Sequence, residues 1–244
     1  MKILDTKIGS ALSNMAFDRQ LLEQLDPSAE PILHLYDWEG LSATYGHFIQ
    51  PDQWFDLEKA GETGVSLARR PTGGGIVFHI WDLAFSFLMP SKHSAFSSHT
   101  LENYRFVNEV VLDVVKEKFS LSDSVELIAA NAPSQTSECT HFCMARPTQY
   151  DVIYQGMKIA GAAQRRKKEG YLHQGTISLA APDQALLHEL LPAHPEVVQA
   201  MSLYTFSPLG KNPSFQALSE VRQDIQRRLQ EKFVEKLQAI AYTS

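Results

Sequence analysis

Thiols are scarce in this 244-residue chain, whose two cysteines, Cys139 and Cys143, stand four positions apart. So close a pair forms no disulfide framework and fits a reducing compartment. Long apolar runs are missing too. Nowhere do 18 apolar residues follow one another, and Lys2 and Lys7 are not followed by the apolar stretch of a signal peptide, so the sequence predicts no membrane span, no membrane partner and a cytoplasmic location. Positive charge is in deficit: 22 Lys and Arg against 28 Asp and Glu leave a net charge of −6. This excludes a dedicated nucleic-acid binder, although a local basic patch remains compatible with it. What is present is ordinary for a packed protein: 44% hydrophobic and 20% charged residues, with 13 Gly and 12 Pro, a composition that excludes global disorder. The length suits one large domain, expected over residues 1–244, and not a repeat array.

Periodicity supplies the elements. Leu12, Met15, Phe17, Leu21, Leu22 and Leu25 recur near helical spacing up to a turn at Asp26 to Pro31. Strand-like runs follow at Ile32 to Trp38 and Ser42 to Phe48, then a short helix begins at Pro51 and ends near Gly61. Val65 to Arg69, Ile76 to Ile80 and Leu83 to Met89 read as strands, the first two separated by Pro71, Thr72 and the glycines 73 to 75. Thr100 is the expected cap of a helix carrying Tyr104, Val107, Val111, Val114 and Val115, with a strand returning at Val125 to Ala129. Tyr150 to Tyr154, Lys158 to Arg165 and Tyr171 to Leu179 form an expected meander, and from about residue 182 the chain turns helical, ending in a long amphipathic helix marked by Leu218, Val221, Ile225, Leu229 and Phe233. Strands and helices without a regular βαβ rhythm define an α+β class, a mixed β-sheet with packed helices.

Familiar site motifs are excluded by spacing. No Gly-Lys-Ser/Thr follows Thr72 to Gly75, so the cluster is neither a Walker loop nor a dinucleotide fingerprint. His188-Glu189 lacks the second histidine of a zinc protease, since Pro192 occupies its place, and no Gly-x-Ser-x-Gly elbow exists. Cys139, His141 and Cys143 amount to three soft ligands where a structural zinc wants four, so no metal is expected, and the bland alternative is a pair of inert thiols. The polar stretch Ala130 to Thr148 that carries them is long for a compact fold and is expected to be mobile when empty and to order over a ligand.

Two segments have chemistry of their own. Glycines 73 to 75, preceded by Arg69 and Arg70, let backbone N–H groups approach a carbonyl or phosphate, although a plain glycine turn between strands has the same composition. Lys158 lies among small and apolar residues that would tolerate its truncation to Ala, which predicts a partly desolvated ammonium directed at an oxygen, against the alternative of a strand-edge lysine in water. Arg165 to Lys168 reads as a solvated hairpin tip.

Together these blocks resemble a known family. Arg69-Arg70-Pro71-Thr72-Gly73-Gly74-Gly75-Ile76-Val77-Phe78-His79 is similar to the Arg-Arg-x-Ser/Thr-Gly-Gly-Gly-x-Val-x-His signature of lipoate-protein ligases and octanoyltransferases. Gly156 to Arg165 and His173-Gln174-Gly175-Thr176 resemble that family's lysine strand and its His-x-Gly-Thr/Ser strand, and Leu33 to Gly46 its Leu-x-x-Tyr-x-Trp…Gly pattern. The resemblance implies the biotin/lipoate protein ligase catalytic fold. It also implies substrate contacts from Arg70, Thr72, Gly73, Gly74, Gly75, Ile76, Val77, Phe78, His79, Gly161, His173 and Gly175. Two departures stand out: Ile80-Trp81 separate His79 from Asp82 where the family has Asp directly after the His, and His34 stands where the family often has Arg.

The family divides into ATP-dependent ligases, which form an acyl adenylate and often carry a further domain of about a hundred residues, and cysteine-dependent transferases. The chain is expected to end too soon for that domain. Cys143 with Pro147-Thr148 and Tyr150-Asp151 resembles the transferases' Cys-x-x-x-Pro-Ser/Thr-x-Tyr-Asp/Glu pattern, in which Cys139 has no counterpart. The implied activity is transfer of an octanoyl or lipoyl group from a carrier protein, through a Cys143 thioester assisted by Lys158, to a lysine of a lipoyl domain such as that of glycine cleavage H protein or a dehydrogenase E2. No cofactor is then required. The alternatives are a lipoate-protein ligase using ATP and Mg, and a non-catalytic binder of lipoyl domains. His79 and His141 are the candidate bases.

Overall fold

The computed structural model describes residues 1–121, 124–129, 141–145 and 147–243. Cys139 and most of the stretch expected to close over a ligand, 130–140 with 146, lie outside the described residues. A seven-stranded mixed sheet forms the frame. Its order begins with β1 (Lys2–Gly9), β2 (Ile32–Trp38), β6 (Asp82–Pro90) and β10 (Gly170–Ser178), and continues with β9 (Met157–Arg166), β8 (Val152–Tyr154) and β7 (Val125–Leu127). β1 runs parallel to β2, and the other neighbours are antiparallel. A second sheet has β3 (Ser42–Tyr45) between β4 (Ser66–Arg69) and β5 (Ile76–His79). The two expected strands flanking the glycines are therefore not neighbours; each pairs with β3, in parallel and antiparallel register respectively.

Strand periodicity sorts the side chains to two faces. Leu33, Leu35, Leu83, Phe85, Phe87, Tyr171 and Ile177 meet Val107, Val111 and Val114 of α3 (Thr100–Phe119) and Ile225, Leu229 and Phe233 of α6 (Phe215–Thr243). Phe87 and Phe233 stack with centroids 4.4 Å apart. The opposite face carries α1 (Ala11–Glu23), which packs Ala11 and Met15 against Tyr36, Trp38 and Ala84. The small sheet is covered by α4 (Gln184–Leu190) and α5 (Pro195–Tyr204), while α2 (Leu57–Glu62) contributes Ala60 to the same cluster.

Local rules account for the ends. Ser10 caps α1 by accepting from the Ser13 N–H, Asp56 caps α2 and Asp183 caps α4. Thr100, expected as the cap of α3, is instead its first residue after His99, whose side chain makes no capping bond. The expected helix from Pro51 splits into a 3-10 turn at Pro51–Gln53 and α2. β1 has no counterpart among the expected elements.

Candidate active site

Where the small sheet faces β9 and β10, the glycine loop meets the residues that follow the undescribed segment. Phe142 pairs with Ile76 in a parallel bridge, which lays residues 141–143 along the start of β5. Gly75 makes this possible: a Cβ there would stand 2.1 Å from the His141 carbonyl oxygen. Gly74 has φ +80°, a left-handed conformation that glycine adopts without strain. The outcome is a half-buried Cys143 whose sulfur accepts a hydrogen bond from the Gly75 N–H at 3.3 Å and lies 3.9 Å from Arg70 Nη2.

Arg70 is buried and belongs to the loop's architecture. Its Nη2 donates to the carbonyl oxygens of Gly75 at 2.7 Å and Gly73 at 3.2 Å, and its Nη1 to Thr44 Oγ1 at 2.8 Å. Thr44 Oγ1 accepts from this cation, so its own proton is available to His79 Nε2, 2.7 Å away. The other ring nitrogen of His79, Nδ1, faces Asp82 Oδ2 at 2.8 Å. The two residues inserted between His79 and Asp82 thus do not break the pair: Asp82 reaches back as the first residue of β6 and also accepts from Thr176 Oγ1. Trp38 stacks on the imidazole at 4.1 Å. Neither His79 nitrogen contacts the sulfur, and His141 packs on Trp54 at 4.6 Å.

Lys158 is equally buried and paired. Its ammonium lies 2.6 Å from Asp151 Oδ2 and donates to the Cys143 carbonyl oxygen, also at 2.6 Å. It therefore grips the backbone of the cysteine; the groups on the sulfur are Gly75 and Arg70. Asp151 Oδ2 also accepts from the Thr148 N–H and hydroxyl, and Asn108 Nδ2 donates to the carbonyl of Tyr150, whose φ is +68°. Gly161 leaves room for the lysine, since a Cβ there would come within 2.3 Å of Lys158 Cε and 2.9 Å of Asp151 Oδ1. The expectation that Lys158→Ala would leave the fold intact conflicts with this geometry, because Asp151 would be left buried without its cation.

A narrow cleft opens beside the sulfur, lined by Cys143, Met15, Tyr36, Val77, Ala84 and Ala163 among others. Its polar edge is Arg70, His79, Gln174 and Thr176. Burial holds the Tyr36 hydroxyl well above its usual pKa, so it stays protonated. Thr72 reaches this edge indirectly, donating to Gln174 Oε1 at 2.7 Å, while Gln174 Nε2 donates to Asp18 Oδ2 at 2.6 Å. His34 binds the other Asp18 oxygen at 2.7 Å, which gives the residue standing in place of the family's arginine a buried partner.

Not every residue expected at the site converges there. Val77 and Gly175 line the cavity, whereas Ile76 and Phe78 belong to the small-sheet core. His173 points to the opposite face of β10 from Gln174 and Thr176; it is fully buried between Phe85 and Tyr104, and burial pulls its pKa down to about 3. Arg165, Arg166 and Lys168 are exposed at the β9–β10 hairpin, as expected, and Arg165 Nη1 in addition donates to the Pro71 carbonyl at 2.9 Å, tying β9 to the glycine loop. Asp151, Thr44 and Gln174 are the site residues to which the sequence assigned no role. A buried acid within seven positions of a buried lysine was the available signal for Asp151.

The comparisons agree with this architecture. The chain belongs to the lipoyl protein ligase A/B catalytic domain family, whose model matches residues 10–206. It is 31% identical over 180 residues to octanoyltransferase LipM of Lysinibacillus sphaericus, covering 71% of this chain and 64% of that one. Against octanoyltransferase LipM of Staphylococcus aureus it is 30% identical over 169 residues, covering 67% and 60%. The matched segment thus spans less than two thirds of these relatives. Among solved structures, lipoate-protein ligase A bound with ATP superposes with a TM-score of 0.71 at 22% identity over 99% of this chain and 92% of that one. A Thermoplasma acidophilum lipoate protein ligase with bound lipoic acid gives 0.69 at 22% over 99% and 93%. These two establish the fold. Among the described residues no helix is long and apolar enough to cross a membrane, and no cluster of metal-ligating side chains is present.

Proposed function

We propose that the protein is an acyltransferase that takes an octanoyl or lipoyl group from a carrier-protein thioester onto Cys143 and hands it to a lysine of a lipoyl domain. The observation that carries this reading is the placement of the Cys143 sulfur on the Gly75 N–H, beside Arg70 and at an apolar cavity. The relatives named octanoyltransferase support the same class of reaction. A lipoate protein ligase of the same fold from Thermoplasma acidophilum, described together with its E2 lipoyl domain, supports a lipoyl-domain acceptor.

In the first half-reaction the Cys143 thiolate attacks the thioester carbonyl, and the carrier thiol leaves with a proton. The oxyanion forms next to the sulfur, within reach of the Gly75 N–H and the Arg70 guanidinium, and is stabilised by donors already fixed in place. Lys158 holds the Cys143 carbonyl so that the sulfur keeps its position. In the second half-reaction the acceptor amine attacks the enzyme thioester, the C–S bond breaks, and the proton lost by the amine ends on the sulfur. Exchange of one thioester for another is nearly neutral, while amide formation drives the second step. The energy is already in the thioester, so this route uses no cofactor; ATP and Mg belong to the ligase alternative.

Intact mass after mixing with octanoyl carrier protein, without ATP, tests this. Gain of one octanoyl group, sensitive to hydroxylamine and lost in Cys143→Ala but kept in Cys139→Ala, is the expected result. A Cys143→Ala protein that still lipoylates a lipoyl domain from free lipoate and ATP at the wild-type rate would establish the ligase instead.

A further inference from the structure

Four consecutive cations, Arg165-Arg166-Lys167-Lys168, mark the turn from β9 into β10 in a chain whose net charge is −6. Arg165, Arg166 and Lys168 are exposed, and Glu169 on the same hairpin is half-buried. Arg165 fixes this hairpin to the glycine loop through the Pro71 carbonyl. The turn after β3 is fixed to the same loop. The Gly46 N–H donates to the Gly75 carbonyl at 3.1 Å, the His47 N–H donates to the Thr72 carbonyl at 3.0 Å, and a Cβ on Gly46 would overlap the Gly74 carbonyl oxygen. This turn displays Phe48, which is 85% exposed, with the His47 ring against it at 5.0 Å. Arg69 donates to the His47 carbonyl and lies over the Tyr45 ring. Gly74 itself is open to solvent, and a Cβ on it would stand 3.5 Å from the Cys143 sulfur. The exposed approach to the nucleophile is therefore bordered by an aromatic knob, Arg69 and a cluster of cations. Aromatic residues and arginine are the types enriched where proteins meet.

We infer that this rim docks the acceptor lipoyl domain, with Phe48 as the apolar anchor and Arg69, Arg165 and Lys168 facing carboxylates that flank the acceptor lysine. Reach decides between the two macromolecular partners. A lysine side chain extends about 6 Å from its Cα, and its amine must come to about 3–3.5 Å from the carbonyl carbon held on the sulfur. The acceptor backbone thus approaches the sulfur to about 10 Å, and its surface is pressed against whatever borders Gly74. A carrier that presents its thioester at the end of a prosthetic arm needs no such approach. Charge fixes the kind of surface. The acceptor amine arrives as a cation and is repelled by Arg69, Arg70 and Arg165; carboxylates beside it offset that repulsion and steer the domain onto the rim. The inference rests on the acyl-transfer reading for the partner's identity, but docking is measurable without any acyl group.

Binding kinetics between the unacylated protein and an unmodified dehydrogenase E2 lipoyl domain, at low salt and at about 0.15 M salt, provide the test. Arg165→Glu and Lys168→Glu change the charge by as much as the control Lys2→Glu, which lies on β1 at the far edge of the large sheet. Each of the two is expected to slow association about threefold or more at low salt, an effect that shrinks at the higher salt as the charges are screened. Phe48→Ala is expected to speed dissociation about fivefold, as loss of an anchor does, and Lys2→Glu to change neither rate. Lys168→Glu carries the charge test should Arg165→Glu disturb the glycine loop. A lipoyl domain that does not bind the wild type, equal slowing by Lys2→Glu, or unchanged rates in Lys168→Glu and Phe48→Ala overturns the docking surface. So does an acyl carrier protein whose binding is weakened by these variants while that of the lipoyl domain is not. Lipoyl-domain binding that behaves as expected in a protein that accepts no octanoyl thioester would retain the surface and sink the acyl-transfer reading alone.

Discussion

At the residue scale the decisive pairing is Lys158 with Asp151. Burying one ion pair is tolerable when both partners are present and hydrogen-bonded, and Asp151 has Thr148 as well as the lysine. Removing the cation alone strands the acid. Lys158→Ala is therefore expected to cost about 3–5 kcal/mol in denaturant unfolding, the usual consequence of breaking a buried pair from one side. Lys158→Ala combined with Asp151→Asn should recover most of that stability while Cys143 acylation stays roughly a hundredfold down, as befits a lost positioning cation. A double variant that regains acylation along with stability would reduce Lys158 to a purely structural role. Gly161→Ala tests the same contact from the strand. Its methyl would overlap the Lys158 end and Asp151 Oδ1, so acylation should fall by more than tenfold and the melting temperature should drop with it, as in Lys158→Ala.

At the scale of elements, Gly75 links the glycine loop to the cysteine turn. Gly75→Ala would drive a methyl into the His141 carbonyl, which is backbone and has no rotamer to yield, so the turn must lift off β5 and the sulfur must leave the Gly75 N–H. The expected outcome is a Cys143 that is acylated by an octanoyl thioester at least tenfold more slowly, because the sulfur and the oxyanion site no longer share the Gly75 N–H. An unchanged acylation rate would remove the loop from the positioning of the sulfur. This contact also shows what the sequence could and could not reveal. The alternation in Ile32 to Trp38 and in Tyr171 to Leu179 announces strands because one face is packed by helices and the other by the site. β1 hides because six of its eight residues are exposed and its pairing shifts between Asp5 and Ile8, around the left-handed Lys7, which erases the period of two. The signature residues from Arg69 to His79 stood out by type, but their division of labour did not. Arg70 and Thr72 act through partners far along the chain, Thr44 and Gln174 of other strands, which only the sheet registers bring together, while His79 pairs with Asp82 across the turn into β6.

On the scale of the whole molecule, the sheet separates a reactive face from a packing face, and β10 serves both. Gln174 and Thr176 turn to the cavity, while Tyr171, His173 and Ile177 turn to the core under α3 and α6. His173 is the polar exception in that core. Gln164 Nε2 donates to its Nδ1 at 2.8 Å, so the ring proton is on Nε2, which is buried with no partner. Neutral in the fold, this histidine has a pKa of about 3 against 6.5 in the unfolded chain. Between those values the unfolded state binds a proton that the folded state refuses, so stability must fall as pH drops below 6.5 and stop falling on this account near 3. The slope approaches about 1.4 kcal/mol per pH unit, or about 2 kcal/mol between pH 7 and pH 5. His173→Phe keeps a ring between Phe85 and Tyr104 and removes both the orphaned donor and the titration. Urea unfolding of the two proteins at pH 7 and pH 5 should show the wild type losing about 2 kcal/mol more than the variant across that interval. Equal losses in both would mean that His173 gains its proton without cost in the folded state, and that the packing face is open to water at its centre.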